Sequence, residues 1–205
     1  MNSNEINIAI VGATGAAGGT ALALLLERNH PADKITLMAS ERSAGRKLQY
    51  GDVELTVIHA KEEAFDGIDV ALFAAGGMVS RRLAHKAVER GAFVIDKGSI
   101  FRMDPTIPLV VPEVNGDDID WHPGIVSTPN CTSTPLVMVL DALRKLSAIT
   151  AVTVATYQSV TGTGVAANEE LLEQARTVLA GGKAEPNVYP HEIAFNVLPH
   201  VDDFL

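Results

Sequence analysis

The chain contains one cysteine, and it stands in Pro129-Asn130-Cys131-Thr132-Ser133-Thr134. This run follows a predicted strand over 125–127 and opens a predicted helix over 133–145. Pro129 cannot extend a strand ladder, and Asn130, Thr132 and Ser133 are helix-start types. A thiol placed there meets the unpaired N–H groups of a first helical turn and the positive helix end, which favour a nucleophilic thiolate. The competing reading is a small buried residue, which is what most unpaired cysteines are.

A second candidate lies near the start. A β-branched run over 6–11 enters Gly12-Ala13-Thr14-Gly15-Ala16-Ala17-Gly18-Gly19, and a predicted helix over 20–28 stops at Asn29-His30-Pro31. Strand, glycine turn and helix are the context of a dinucleotide fingerprint, here spaced G-x-x-G-x-x-G. Glycines at Gly12 and Gly15 permit a tight turn and close backbone approach, and the helix start favours a pyrophosphate. The next predicted strand, 35–39, ends in Ser40-Glu41-Arg42-Ser43-Ala44-Gly45. In such folds that corner meets the adenosine ribose, where an acid suits NAD and an arginine suits the 2′-phosphate of NADP. Arg42 between two serines favours NADP; Glu41 opposes a phosphate if it turns inward.

These candidates need a scaffold that gathers them. Strands are predicted over 53–57, 70–74, 93–96, 109–115 and 125–127, and helices over 79–90 and 133–145. Alternation of strand and helix implies a Rossmann-type, doubly wound, mainly parallel α/β sheet. Ligands of such sheets bind at the carboxyl ends of the strands. The glycine turn, the Arg42 corner, the 97–102 stretch and Cys131 all fall at such ends. A long strand over 150–159 and a helix over 165–179 follow, as the start of a second α+β domain. With 205 residues and 47% hydrophobic content, the chain can bury a substantial core. A formal charge of −9 argues against nucleic acid as a partner. No apolar run has the length of a membrane span, residues 1–5 lack signal-peptide character, and a single cysteine fits a reducing compartment. The expectation is a cytoplasmic protein. The six histidines show no metal-ligand spacing, so no metal is expected.

Taken in order, several of these stretches resemble the aspartate-semialdehyde dehydrogenases. The matching runs are the 12–18 and 40–45 segments, Val110-Val111-Pro112-Glu113-Val114-Asn115, Pro129-Asn130-Cys131-Thr132, Thr156-Tyr157-Gln158-Ser159-Val160-Thr161-Gly162 and Ile193-Ala194-Phe195-Asn196-Val197-Leu198-Pro199. The resemblance implies NADP-dependent reduction of aspartyl 4-phosphate to aspartate 4-semialdehyde, with release of phosphate. It makes Cys131 the nucleophile that carries a thioester, Asn130 a residue that orients the substrate, and Gln158 a substrate contact. Arg102 becomes the substrate-phosphate ligand, for which a planar guanidinium fork is well shaped. Thr14, Gly15, Ala16, Ala17, Arg42, Ser43, Thr161 and Gly162 become NADP contacts. It also implies a homodimer or homotetramer.

Two features depart from that pattern. Asp96-Lys97-Gly98-Ser99 stands where the family often has asparagine followed by a small hydroxyl residue, and Lys97 adds positive charge near the phosphate site. None of His30, His59, His85, His122, His191 or His200 lies in the family's histidine motif. The chain therefore resembles an amino-terminal portion: an NADP-binding domain over 1–130 and the beginning of a catalytic and dimerisation domain over 131–205. On its own it is expected to turn over little substrate. Two alternatives stay open, an N-acetyl-glutamyl-phosphate reductase-like enzyme and a non-catalytic nucleotide-binding module. A short-chain reductase is excluded, because no tyrosine has a lysine four residues on.

Overall fold

The computed structural model describes residues 5–199. They divide into two compact units, with the boundary between Val152 and Thr153.

The first unit is built on β1 (Ile8–Val11), whose four residues are apolar and largely buried. It pairs in parallel with β2 (Ile35–Ala39) on one side and β5 (Val70–Phe73) on the other. β4 (Val53–His59) extends the sheet beyond β2, and β6 (Phe93–Asp96) and β7 (Ile125–Ser127) extend it beyond β5. β3 (Lys47–Tyr50) closes one edge antiparallel to β4, giving the order β3-β4-β2-β1-β5-β6-β7. A strand with a helix layer on each face must be apolar on both faces. In β1, Ala9 and Val11 enter one core with Phe73, Val94 and the Leu83, Ala84 and Ala87 face of α2 (Gly77–Glu89). Ile10 points the other way, to Leu37, Val57 and Leu22 of α1 (Ala16–Glu27). This is the doubly wound, mainly parallel sheet expected from the alternation of elements.

Three local expectations need correction. First, β3 was not foreseen. Gly51, at φ 58°, turns the chain back between Tyr50 and Val53 in a two-residue hairpin loop, a conformation that glycine adopts without a Cβ clash. Second, the segment 109–115 is not a strand. Leu109 makes one parallel bridge to Ser127, and Pro112–Asn115 then forms a short helix, α3. Pro112 has no N–H for a ladder but suits a first helical position. Asn115 takes over the strand-like groups: its Oδ1 accepts from the Val111 N–H at 2.8 Å, and its Nδ2 donates to the Leu109 carbonyl at 2.9 Å. Third, 150–159 pairs with no strand among the described residues. Its alternation of apolar and polar residues has no neighbour there to complete a ladder, and Val152, Val154 and Tyr157 are exposed.

After β7 the chain enters α4 (Ser133–Arg144). In the second unit, α5 (Val165–Leu179) spans the residues expected to be helical. Its buried Glu170 and Gln174 hold the 185–194 segment. Glu170 accepts from the Asn187 and Val188 N–H groups, and Gln174 Oε1 accepts from those of Ile193 and Ala194 at 2.8 and 3.1 Å. Among the described residues no helix is long and apolar enough to cross a membrane.

Candidate active site

The glycine turn follows β1 at the carboxyl edge of the sheet. Gly12 has φ 92°, and a Cβ there would lie 2.7 Å from the Ala74 carbonyl oxygen. Only glycine fits, because the end of β5 passes directly over it. The Gly12 and Ala13 N–H groups both donate to the Met38 carbonyl, at 2.8 and 3.1 Å, which ties the turn to the end of β2. Gly18 is equally confined, with a Cβ position 2.2 Å from the Gly12 carbonyl oxygen, so α1 lies hard against the turn. Gly15 differs. It is the N-cap of α1, no side chain caps the helix, and its Cβ position meets only the Gly12 carbonyl oxygen at 3.4 Å. Ala16 and Ala17 are exposed and Thr14 is half-buried. A helix start with small, open residues and first-turn N–H groups is a cradle that a pyrophosphate fits.

The Arg42 corner follows β2 as a single turn of 3₁₀ helix, Glu41–Ser43. Arg42 and Glu41 are both exposed, whereas Ser43 is buried. Since β2 is β1's immediate neighbour, this corner lies next to the glycine turn.

Cys131 is exposed and immediately precedes Thr132, the N-cap of α4. Asn130 shapes the loop. Its Oδ1 accepts from the Thr132 N–H at 2.9 Å, from the Thr132 hydroxyl at 2.7 Å and from the Cys131 thiol at 3.6 Å. Its carbonyl accepts from the Ser133 and Thr134 N–H groups at 3.0 and 3.1 Å. The amide therefore serves as the cap that Thr132 does not supply, and it fixes the thiol ahead of the helix. The buried-cysteine reading is overturned by this exposure.

Arg102 belongs to the same edge. Its Nε donates to the Thr128 carbonyl at 2.9 Å, and its Nη2 donates to the Lys97 carbonyl at 3.1 Å. One carbonyl follows β6; the other follows β7 and is three residues ahead of the thiol. The structure thus brings Cys131, Asn130 and Arg102 onto one pair of neighbouring strand ends. In the second unit, Gln158 lines a shallow hollow with Ser159, Leu171 and Phe195. Thr161 and Gly162 form a 3₁₀ turn in which Ser159 Oγ accepts from the Thr161 N–H at 3.3 Å.

Comparison with known proteins assigns this arrangement to a family. Residues 7–122 match the model of the semialdehyde dehydrogenase NAD-binding domain, and 140–205 match that of the dimerisation domain. The chain belongs to the semialdehyde dehydrogenase family. It is similar to the aspartate-semialdehyde dehydrogenases of Bacillus subtilis (46% identical over 97% of this chain) and Aquifex aeolicus (47% over 96%). Aspartate semialdehyde dehydrogenase II of Vibrio cholerae, solved as a complex with ASA, superposes on 98% of this chain with a TM-score of 0.92 at 40% identity. The enzyme from Candida albicans, solved with NADP, covers 69% of this chain and 47% of its own, with a TM-score of 0.57 at 27% identity. The chain spans about 60% of the length of the B. subtilis and V. cholerae relatives.

Within this member of the semialdehyde dehydrogenase family, His30 and His122 have structural partners. His30 Nε2 lies 3.0 Å from the Ile6 carbonyl, and the His122 ring meets Phe93 edge-on. His200 lies outside the described residues. No group of acidic, histidine and cysteine side chains among the described residues could hold a metal ion. The sequence reading noted Asp96 only as a departure from the family pattern and missed Ser80; the two bond to each other at 2.6 Å. The available signal was an acid closing an otherwise apolar strand, since such a buried carboxylate must find donors.

Proposed function

We propose that this chain supplies the cofactor-binding and thiol-bearing part of an enzyme that reduces aspartyl 4-phosphate to aspartate 4-semialdehyde with NADPH. The supporting observation is the placement of an exposed Cys131, capped by Asn130, on strand ends shared with Arg102. In this reading the Cys131 sulfur attacks the acyl carbon, the carbon–oxygen bond to the phosphoryl group breaks, and inorganic phosphate leaves with the electron pair. A thioester remains on Cys131, which splits one difficult displacement into two easier steps. Arg102 holds the departing phosphate by charge-assisted hydrogen bonds, Asn130 orients the substrate, and Gln158 contacts it. The open helix start at Thr14, Gly15, Ala16 and Ala17, with Gly12 beneath, would hold the pyrophosphate of NADPH. Arg42 and Ser43 would hold its 2′-phosphate end, and Thr161 and Gly162 would add contacts. Bound there, the cofactor supplies the hydride that reduces the thioester.

The functional division falls at Cys131: residues 1–130 bind the cofactor, and 131–205 begin the catalytic and dimerisation part. The exposed Val139, Leu143 and Leu146 in and after α4 support association into a homodimer or homotetramer. The protein is proposed to be cytoplasmic.

The test uses the fact that Cys131 is the single thiol. Iodoacetamide alkylation of the native chain, followed by intact mass, is expected to proceed and to be slowed by aspartate semialdehyde. Protection only by N-acetylglutamate semialdehyde would reassign the substrate. A thiol protected by neither aldehyde, or alkylated only after denaturation, would leave a nucleotide-binding module.

A further inference from the structure

Asp96 ends β6 and is fully buried. Its Oδ1 accepts two hydrogen bonds, from the Ser80 hydroxyl of α2 at 2.6 Å and from the Gly98 N–H at 3.1 Å. Its main-chain carbonyl accepts from the Thr128 N–H at 2.9 Å and from the Thr128 hydroxyl at 3.4 Å. Oδ2 has no hydrogen-bond partner among the described residues. A buried carboxylate with an unpaired oxygen is unfavourable for stability by itself. What it does is geometric, and the hydrogen bonds show where.

Arg102 is held by two carbonyls, those of Lys97 and Thr128. Both belong to residues that Asp96 fixes. Lys97 is its chain neighbour, in a turn closed by the Gly98-to-Oδ1 bond, and Thr128 is bonded to its main chain. There is little slack in that turn: a Cβ on Gly98 would lie 3.2 Å from Asp96 Oδ2 and 3.3 Å from Oδ1. The path from Ser80 through Asp96 to both carbonyls is contiguous: it starts at two buried side chains and surfaces at half-buried Gly98 and Thr128 and exposed Lys97. Fixing those carbonyls fixes the plane of the guanidinium, and a bidentate fork is useful to an oxyanion only when its plane is set. Thr128 also begins the four-residue approach to Cys131.

We infer that Asp96 is a positioning residue for the anion site: with Ser80 its carboxyl sets the turn that presents the Lys97 carbonyl to the Arg102 guanidinium, beside the Thr128 carbonyl that its main chain holds, on the strand ends leading to Cys131. The inference rests on the reading of Arg102 as a phosphate ligand, and the test separates the two. The readout is the inorganic phosphate concentration that halves the alkylation rate of Cys131, measured where circular dichroism shows each variant folded. Arg102→Ala is expected to remove the protection. Asp96→Ala and Ser80→Ala are expected to raise the half-protecting concentration by about 5- to 10-fold, the scale of one net hydrogen bond. Asp96→Asn keeps an acceptor for Ser80 and Gly98 and is expected to restore it to within about 2-fold. In an Arg102→Ala background, Ser80→Ala is expected to add nothing further, as coupled residues do. NADP affinity, which reports the glycine turn, should stay unchanged throughout. Should Asp96→Ala fail to fold, Ser80→Ala decides. Half-protection that follows Arg102→Ala but ignores Ser80→Ala and any folded Asp96→Ala overturns the positioning role alone. Protection that survives Arg102→Ala overturns the phosphate reading and this inference with it.

Discussion

Gly15 and Gly18 sit one helical turn apart, and the structure separates what each does. At Gly18 an added Cβ would stand 2.2 Å from the Gly12 carbonyl oxygen and 2.8 Å from Ala13 Cα. The first contact is about 1.3 Å short of a ~3.5 Å non-bonded separation. Both obstacles are backbone, so α1 itself must move off the turn. Overpacking of this kind costs about 3 kcal/mol when no side chain can yield, and the gain in helix propensity from glycine to alanine returns about 1. The net, about 2 kcal/mol, corresponds to a fall in Tm of roughly 4–8 °C for a chain of this size. Gly18→Ala should therefore lower the Tm by that amount in a thermal melt and weaken NADPH binding in a fluorescence titration, because the cradle moves with the helix. Gly15→Ala meets only one ordinary contact, at 3.4 Å. It should lower Tm by only about 1–4 °C, the scale of the roughly 0.5–1 kcal/mol by which glycine is better than alanine at an N-cap. It should still weaken NADPH by at least about 10-fold if the pyrophosphate rests on that backbone. A Gly18→Ala chain with unchanged Tm would refute the packing argument. A Gly15→Ala chain with unchanged affinity would move the cofactor elsewhere.

Two further outcomes follow from charged groups. Arg42→Ala should weaken NADP by about 10- to 150-fold, the range of a charge-assisted contact, and leave NAD nearly untouched in parallel titrations; equal losses would make Arg42 a loop support. Asp141 is buried on α4, and the Lys145 ammonium at 2.6 Å, then the Arg144 guanidinium, hold its carboxyl below the usual carboxylate range. Its contribution to stability is thus present above the unfolded value of about 3.9 and lost as pH falls through the lower folded value. Tm measured from pH 6 down to pH 2.5 should decline less steeply in Asp141→Asn than in the native chain, and identical slopes would show that the pair contributes nothing.

How much of this was legible in the sequence depends on the range of the interactions involved. The β1–turn–α1 unit was readable because its causes are local, a β-branched run and glycines where no Cβ fits; its helix was expected from Thr20, four residues late, because residues 16–19 look like part of the glycine turn. α5 was readable from periodicity alone. The 109–115 segment was misread because its apolar run does suit a strand. The outcome was decided by Pro112 and by the Asn115 amide, which bonds the backbone groups a ladder would have used. β3 was missed because Lys47-Leu48-Gln49-Tyr50 is too polar to signal a strand, as is common for an exposed edge. The 150–159 alternation was a true strand pattern without a neighbouring strand among the described residues to complete it. At the site, Cys131 was proposed from its place between a strand and a helix start, and Arg102 from motif resemblance. Asp96 was not, since its partners Ser80 and Thr128 are 16 and 32 residues away and only folding brings them together.

The sheet order also sets a distance. From β2, which carries the Arg42 corner, to β7, which carries the thiol loop, the strands run β2-β1-β5-β6-β7. Four steps at ~4.8 Å put the two strand ends about 19 Å apart. No compact molecule spans that gap; a ligand touching both must be elongated and lie across the strand ends. Small electrophiles aimed at Cys131 and adenosine mimics aimed at Arg42 are therefore non-overlapping, and both can be bound at once. A tether of about that span would join them into one bivalent inhibitor, whose second contact forms at high effective concentration.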